Sequence, residues 1–111
     1  SSGVQRRSYC YVIDVVSAIF EILFTGKKGE IYNISNEKSV ASIAEVAHMC
    51  AKIAGVKVVY DLPDDIEAMG ASKPQNCIMD NYKLKKLGWK GKYSLEEGLR
   101  ETISFFQNKS L

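Results

Sequence analysis

The residues with the clearest chemical potential are two neighbouring arginines, Arg6 and Arg7, standing directly before a short apolar run, Tyr9-Cys-Tyr-Val-Ile13. A guanidinium offers several donors in a rigid planar fork and can hold a phosphate through two parallel hydrogen bonds. Beside a strand at the edge of a cleft, that fork is a phosphate grip. The same pair also fits two solvated loop side chains. No complete active site can be assembled from the rest. His48 is the one histidine, and no acidic or cysteine partner stands at ligand spacing. Asp64, Asp65 and Glu67 crowd a turn, which suits a solvated turn better than a metal or acid–base cluster. Cys10, Cys50 and Cys77 are odd in number, far apart and without a C-x-x-C pair. They read as reduced core residues of a cytosolic protein, so a cytoplasmic location is expected. Trp89, after Leu87 and Gly88, reads as a core plug, with stacking on a base as the other option.

The elements that must position the arginines follow from patterning. Tyr9 to Ile13 reads as a strand. Asp14 is expected to cap the helix that follows, where its charge also suits the helix dipole. Gly26 is expected to close that helix in the left-handed conformation. The polar residues of the helix, Ser17, Glu21 and Thr25, form one narrow stripe. The rest, from Val15 to Phe24, is apolar, and such a helix belongs inside a protein. A chain of 111 residues has little room to cover it. A partner surface is therefore expected, from another chain or another part of the same chain.

Further along, Glu30 to Ile34 reads as a second strand and Ser35 to Lys38 as a polar loop. Ser42-Ile-Ala-Glu45 fits a capping box opening a helix that runs to about Ala54 and stops at Gly55. Val56 to Tyr60 reads as a third strand. The pattern breaks from Asp61 to Asn76, with one helical turn through Ile66 to Met69 and a loop at Gly70, Ser72 and Pro74. Cys77 to Met79 is a short extended piece. Asp80 is expected to cap a short helix that ends at Gly88. A second capping box, Ser94-Leu-Glu-Glu97, opens the last helix. The count is about four helices and three short strands, an α/β pattern. Net charge is +2, too small to argue for nucleic acid or an anionic membrane. No apolar run approaches the roughly 18 residues of a membrane span, and no signal peptide is visible.

The order of these features resembles the C-terminal part of the NAD-dependent sugar-nucleotide epimerases and dehydratases, in the extended short-chain dehydrogenase/reductase superfamily. Arg7-Ser-Tyr-Cys-Tyr-Val-Ile-Asp14 is similar to the family's Arg-Asp-Tyr stretch. Gly29-Glu-Ile-Tyr-Asn-Ile34 resembles its Tyr-Asn strand. Asp80-Asn-Tyr-Lys-Leu-Lys-Lys-Leu-Gly-Trp89 resembles its Asp-x-x-Lys and Leu-Gly-Trp segment, and Leu95 to Ile103 its closing helix. The likeness covers nearly the whole chain.

The resemblance implies one substrate-binding region over residues 1–111, with the N-terminal Rossmann half absent. In the family that half binds NAD through a glycine loop and carries a catalytic Tyr-x-x-x-Lys, and neither motif is here. Gly26-Lys-Lys-Gly29 has the wrong glycine spacing and no strand directly before it. Tyr82 and Lys86 do spell Tyr-x-x-x-Lys, but in the Leu-Gly-Trp helix, the wrong place for catalysis. The implied partner is a nucleotide-diphosphate sugar. The family arginine that contacts the diphosphate falls on Arg7, with Arg6 beside it. Ser8 replaces the family aspartate. The second family arginine has no counterpart, and Lys73 is the one cation in that loop. The family reaction oxidises a sugar carbon with NAD, using a tyrosinate as base. This region would bind and orient, and would be inactive alone. The absent half, or a second copy of the chain, would cover Val15 to Phe24. The alternative is a stand-alone binding or dimerisation module.

Overall fold

The computed structural model describes residues 2–61, 63–70 and 75–109. Its elements are β1 (Arg6–Ser8), α1 (Val12–Thr25), β2 (Val40–Ser42), α2 (Ile43–Ala54), α3 (Asp65–Gly70), α4 (Tyr82–Lys86) and α5 (Leu95–Asn108). β1 and β2 pair antiparallel, with Arg6 opposite Ser42, Arg7 opposite Ala41 and Ser8 opposite Val40. On its other edge β1 takes a single parallel bridge, Arg7 to Cys77.

Both capping boxes form. Ser42 and Glu45 exchange side-chain and backbone bonds at the start of α2, and Ser94 and Glu97 do so at α5. Each satisfies two N–H groups that a helix start leaves without partners. Gly55 ends α2 at φ +71°, a left-handed conformation that glycine adopts at no steric cost. At α4 the Asp80 carboxylate accepts the Tyr82 N–H at 2.8 Å, from one residue before the N-cap Asn81.

Several expectations are corrected. Tyr9 to Ile13 is not a strand. β1 ends at Ser8, and Val12 and Ile13 already belong to α1. Their β-branched side chains favour strands only weakly, and tertiary packing overrides such preferences. Asp14 is not the N-cap. Tyr11 holds that position without a side-chain bond, and Asp14 lies inside the first turn. Gly26 is not left-handed, with φ at −67°. It is glycine because a Cβ there would meet the Ile22 carbonyl oxygen at 2.3 Å. Glu30 to Ile34 and Val56 to Tyr60 are not strands, because no neighbouring segment among the described residues offers them a ladder. The short strand β2 lies where only a loop-to-helix passage was expected. Cys77 is not a core residue but exposed, since its segment runs along the outer edge of β1.

The core is small. Ala18 of α1, Leu84 of α4 and Trp89 are buried together, with Cys10, Ile22, Ile34 and Leu87 packed around them. The indole Nε1–H of Trp89 donates to Ser17 Oγ at 2.9 Å, and Ser17 Oγ donates to the Asp14 carbonyl at 2.8 Å. Trp89 is thus a core plug whose polar end is satisfied. α2 packs on α5.

Much apolar surface stays open. On α1 only Asp14 and Ala18 are buried. Val16, Ile19, Phe20, Leu23 and Phe24 are exposed, Phe24 by 77%. The accessible surface is 8600 Å². A compact monomer of this mass exposes about 6,100 Å². The radius of gyration is 17.0 Å, against about 13 Å for a compact domain of this length. The exposed apolar face of α1 contributes to that excess.

Candidate functional site

Arg7 occupies the middle of β1, and β1 is pinned on both edges. β2 holds one edge. On the other, Cys77 N–H donates to the Arg6 carbonyl at 2.9 Å and Ser8 N–H donates to the Cys77 carbonyl at 3.3 Å. Arg6 N–H donates to Asn76 Oδ1 at 2.9 Å, and Met79 N–H to Ser8 Oγ at 2.8 Å. Ser8, standing where the family motif has aspartate, thus fastens the 76–79 segment to β1. Arg7 is held on a rigid rung beside Asn76 and Cys77.

The two arginines do not converge. Successive strand residues face opposite sides. Arg6 Nη1 lies 3.6 Å from Glu45 Oε2 and Arg6 Nη2 donates to the Val40 carbonyl at 3.4 Å, so Arg6 reaches towards α2. Arg7 Nη2 donates to Gln5 Oε1 at 2.8 Å and its side chain is exposed. A neutral amide two residues away is easily exchanged for an anion, because charge-assisted bonds are roughly twice as strong. Lys73 lies outside the described residues.

The other candidates resolve into structural tasks. Asp64 Oδ1 accepts the N–H groups of Ile66 and Glu67, so the acidic turn caps α3. His48 Nε2 lies 3.0 Å from the Tyr60 hydroxyl on the surface. Among the described residues, no three His, Cys, Asp or Glu side chains are grouped to hold a metal ion. Lys86 Nζ sits 5.3 Å from the centre of the Tyr82 ring. Both line an open cleft of about 390 Å³ with Lys27, Glu30 and Tyr32. The Glu30 carboxylate there is held below its ordinary pKa by the hydrogen bond and charge of Lys83. A second cleft, about 270 Å³ and mostly apolar, lies between Tyr9, Cys10, Tyr11 and the first turns of α5. Burial, and then the Asp14 charge, push the Cys10 thiol up to about 11. Neither Arg6 nor Arg7 lines these clefts.

Gly26 to Gly29 does not fit a dinucleotide loop. A dinucleotide loop joins a strand to a helix N-terminus. Gly26 to Gly29 instead follows the C-terminus of α1.

The residue that patterning misassigned is Asp14. It is 1% exposed, and its carboxylate accepts the backbone N–H of Lys92 at 2.9 Å and of Tyr93 at 3.0 Å. Asn36 Nδ2 donates to the Tyr93 carbonyl at 3.1 Å. A lone aspartate at a strand–helix junction carries no signal for so distant a partner.

No family model matches the chain. The dTDP-D-glucose 4,6-dehydratase of Mus musculus is 33% identical over 96% of this chain and 30% of its own length. The solved dTDP-glucose 4,6-dehydratase of Bacillus anthracis, in complex with NAD, superposes with a TM-score of 0.80 at 25% identity, over 99% of this chain and 34% of that one. The UDP-glucose 4-epimerase of Thermotoga maritima, solved with UDP-glucose, gives 0.78 at 31% identity, over 96% of this chain and 33% of that one. The chain is similar to the C-terminal part of extended short-chain dehydrogenase/reductase enzymes. It corresponds to the C-terminal part of that fold. It spans about a third of the length of these three relatives. Within that family frame the Leu-Gly-Trp segment is a core element, and the Arg-Asp-Tyr counterpart is the pinned strand β1. Among the described residues, no helix is long and apolar enough to cross a membrane.

Proposed function

We propose that this chain is the nucleotide-diphosphate-sugar binding part of an NAD-dependent epimerase or dehydratase, and that Arg7 holds the diphosphate. The observation that carries the reading is the exposed Arg7 fork on a strand fastened along both edges. Two parallel N–H donors match two phosphate oxygens. Anchoring the diphosphate far from the reacting carbon supplies binding energy that orients the sugar. Lys73, shortly before Cys77 in sequence, adds a point charge. Arg6 works from the other side of the strand, steadying it against α2. NAD and the hydride chemistry belong to polypeptide outside these residues, and this chain alone is inactive.

Titrating a protein that carries both parts with a nucleotide-diphosphate sugar tests this. Arg7→Ala removes a charge-assisted contact of roughly 1.5–3 kcal/mol, which weakens binding by about tenfold or more. An unchanged dissociation constant removes Arg7 from the site.

The second reading, a stand-alone dimerisation module, draws on the exposed face of α1. Sedimentation of the 111-residue chain separates the two: a stable dimer burying α1 favours the module.

A further inference from the structure

A cleft of about 360 Å³ opens between the 36–38 loop, α4 and the 89–91 turn. Two buried carboxamides, each 6% exposed, fix its inner wall. Asn36 Nδ2 donates to the Tyr93 carbonyl at 3.1 Å, while Asn36 Oδ1 accepts the Lys38 N–H at 3.1 Å. Asn81 Nδ2 donates to the Ser35 carbonyl at 2.8 Å. Gly91 lets the two loops approach, because a Cβ there would meet Asn36 Nδ2 at 2.6 Å. The exposed rim is basic. Lys38, Lys85 and Lys90 stand against one carboxylate, Glu37, which leaves two positive charges in surplus. Lys85 Nζ meets Glu37 Oε2 at 2.8 Å, and Lys38 and Lys90 have no ion-pair partner among the described residues. The main-chain N–H groups of Glu37, Lys90 and Gly91 make no backbone–backbone hydrogen bond among the described residues.

We infer that this cleft holds a ligand bearing a dianionic phosphate group, either free phosphate or a small phosphate monoester. Two surplus positive charges match the two negative ones. Lysine ammonium groups hold phosphate as point charges, and free backbone N–H groups add donors that need not leave another partner. The Glu37 carboxylate opposes an anion, so the ligand takes its place beside Lys85. The fixed carboxamides leave little of the inner wall to be ordered on binding. The volume falls at the lower end of small-molecule sites, roughly 300–1,000 Å³. The indole of Trp89 lines the same cleft and offers an apolar surface to a carbon skeleton. None of the exposed apolar residues of α1 lines it, and neither do Arg6 and Arg7. The site is therefore separate from the open helix face and from the diphosphate grip proposed above, and does not rest on that reading.

Amide NMR of the chain tests this, in titrations with inorganic phosphate and separately with glycerol phosphate. Constant ionic strength keeps bulk screening fixed. The amides of Glu37, Lys90 and Gly91 should shift together and saturate. Lys38→Gln combined with Lys90→Gln should weaken binding by at least about tenfold, because two charged contacts are lost. Glu37→Gln should tighten it by about two- to fivefold, the range of one exposed charge pair. Lys27→Gln combined with Lys28→Gln changes the net charge as much, outside the cleft, and should leave the affinity unchanged. All these side chains are exposed, and unchanged melting shows that each variant folds. Tighter binding of glycerol phosphate marks a monoester site, and equal binding marks a site for phosphate itself. Shifts that never saturate overturn the inference. So does an equal loss of affinity in the Lys27 and Lys28 variant, or acetate bound as tightly as phosphate. Phosphate held by Arg7 would move the amides of β1 instead, so the two sites report separately.

Discussion

Asp14 accepts the backbone N–H of Tyr93 across 79 positions of sequence, at 3.0 Å and almost wholly out of solvent. With the Lys92 N–H on its other oxygen, it ties the first turn of α1 to the passage leading into α5. The contact between the Tyr11 and Tyr93 rings, 4.7 Å between centroids, lies over the same junction. One carboxylate thus joins the segment that follows the Arg7 strand to the last helix.

Replacing Asp14 should be costly. Asp14→Ala leaves the part-buried N–H groups of Lys92 and Tyr93 without their acceptor, a loss of about 1–3 kcal/mol. Asp14→Asn keeps one acceptor oxygen and should lose less. Denaturant midpoints followed by the fluorescence of Trp89, the single tryptophan, read both values. Equal stability of Asp14→Ala and the parent chain would contradict the anchoring role.

The core predicts its own weak point. Leu84 is fully buried beside Ala18 and Trp89. Leu84→Ala should cost about 2–5 kcal/mol, a large share of what a domain this size can hold. Ser17→Ala strands the Trp89 N–H and should cost about 1–3 kcal/mol. Thermal melts compare the two.

The two arginines should separate in function. Arg6 and Glu45 form an exposed pair at 3.6 Å, so Arg6→Ala should lower stability by less than about 1 kcal/mol. Its effect on nucleotide-sugar affinity should be well below that of Arg7→Ala. Parallel titrations of both variants in a protein carrying the whole enzyme give the comparison.

Acid should loosen the chain through its carboxylates. The Glu45 pKa is lowered from its ordinary 4.5, chiefly by the Ser42 backbone N–H, and those of Glu30 and Glu96 by their bonds to Lys83 and Arg100. A carboxylate whose folded pKa is depressed stabilises the fold above its unfolded value and loses that contribution as pH falls through the folded one. Melting temperature should therefore hold steady above about pH 5 and fall below 4.5. Glu45→Gln keeps an acceptor for the Ser42 N–H but cannot titrate, so its acid limb should be shallower.

Thiol chemistry should be ordered. Cys10, half-buried and pushed up to about 11, stays protonated near neutrality. Cys77 is exposed. Iodoacetamide in mildly alkaline buffer should label Cys77 well before Cys10, because the thiolate is the reactive form and access limits it. Peptide mass spectrometry over time shows the order, and faster labelling of Cys10 would contradict it.

Local chemistry was legible from residue order alone. Ser42 with Glu45 and Ser94 with Glu97 announce their helices because a capping box acts within a single turn. The surplus of apolar residues from Val15 to Phe24 announced an uncovered helix, since burial follows composition along one face. The motif order pointed to the family. Pairing was not legible. Strands exist only with a neighbour, so Glu30 to Ile34 looks like a strand and yet stands without a ladder, while Val40 to Ser42 becomes one by meeting β1. The divergence of Arg6 from Arg7, and the reach of Asp14 to Tyr93, depend on how distant segments fold back on one another. Such contacts are set by packing in three dimensions, which no local pattern encodes.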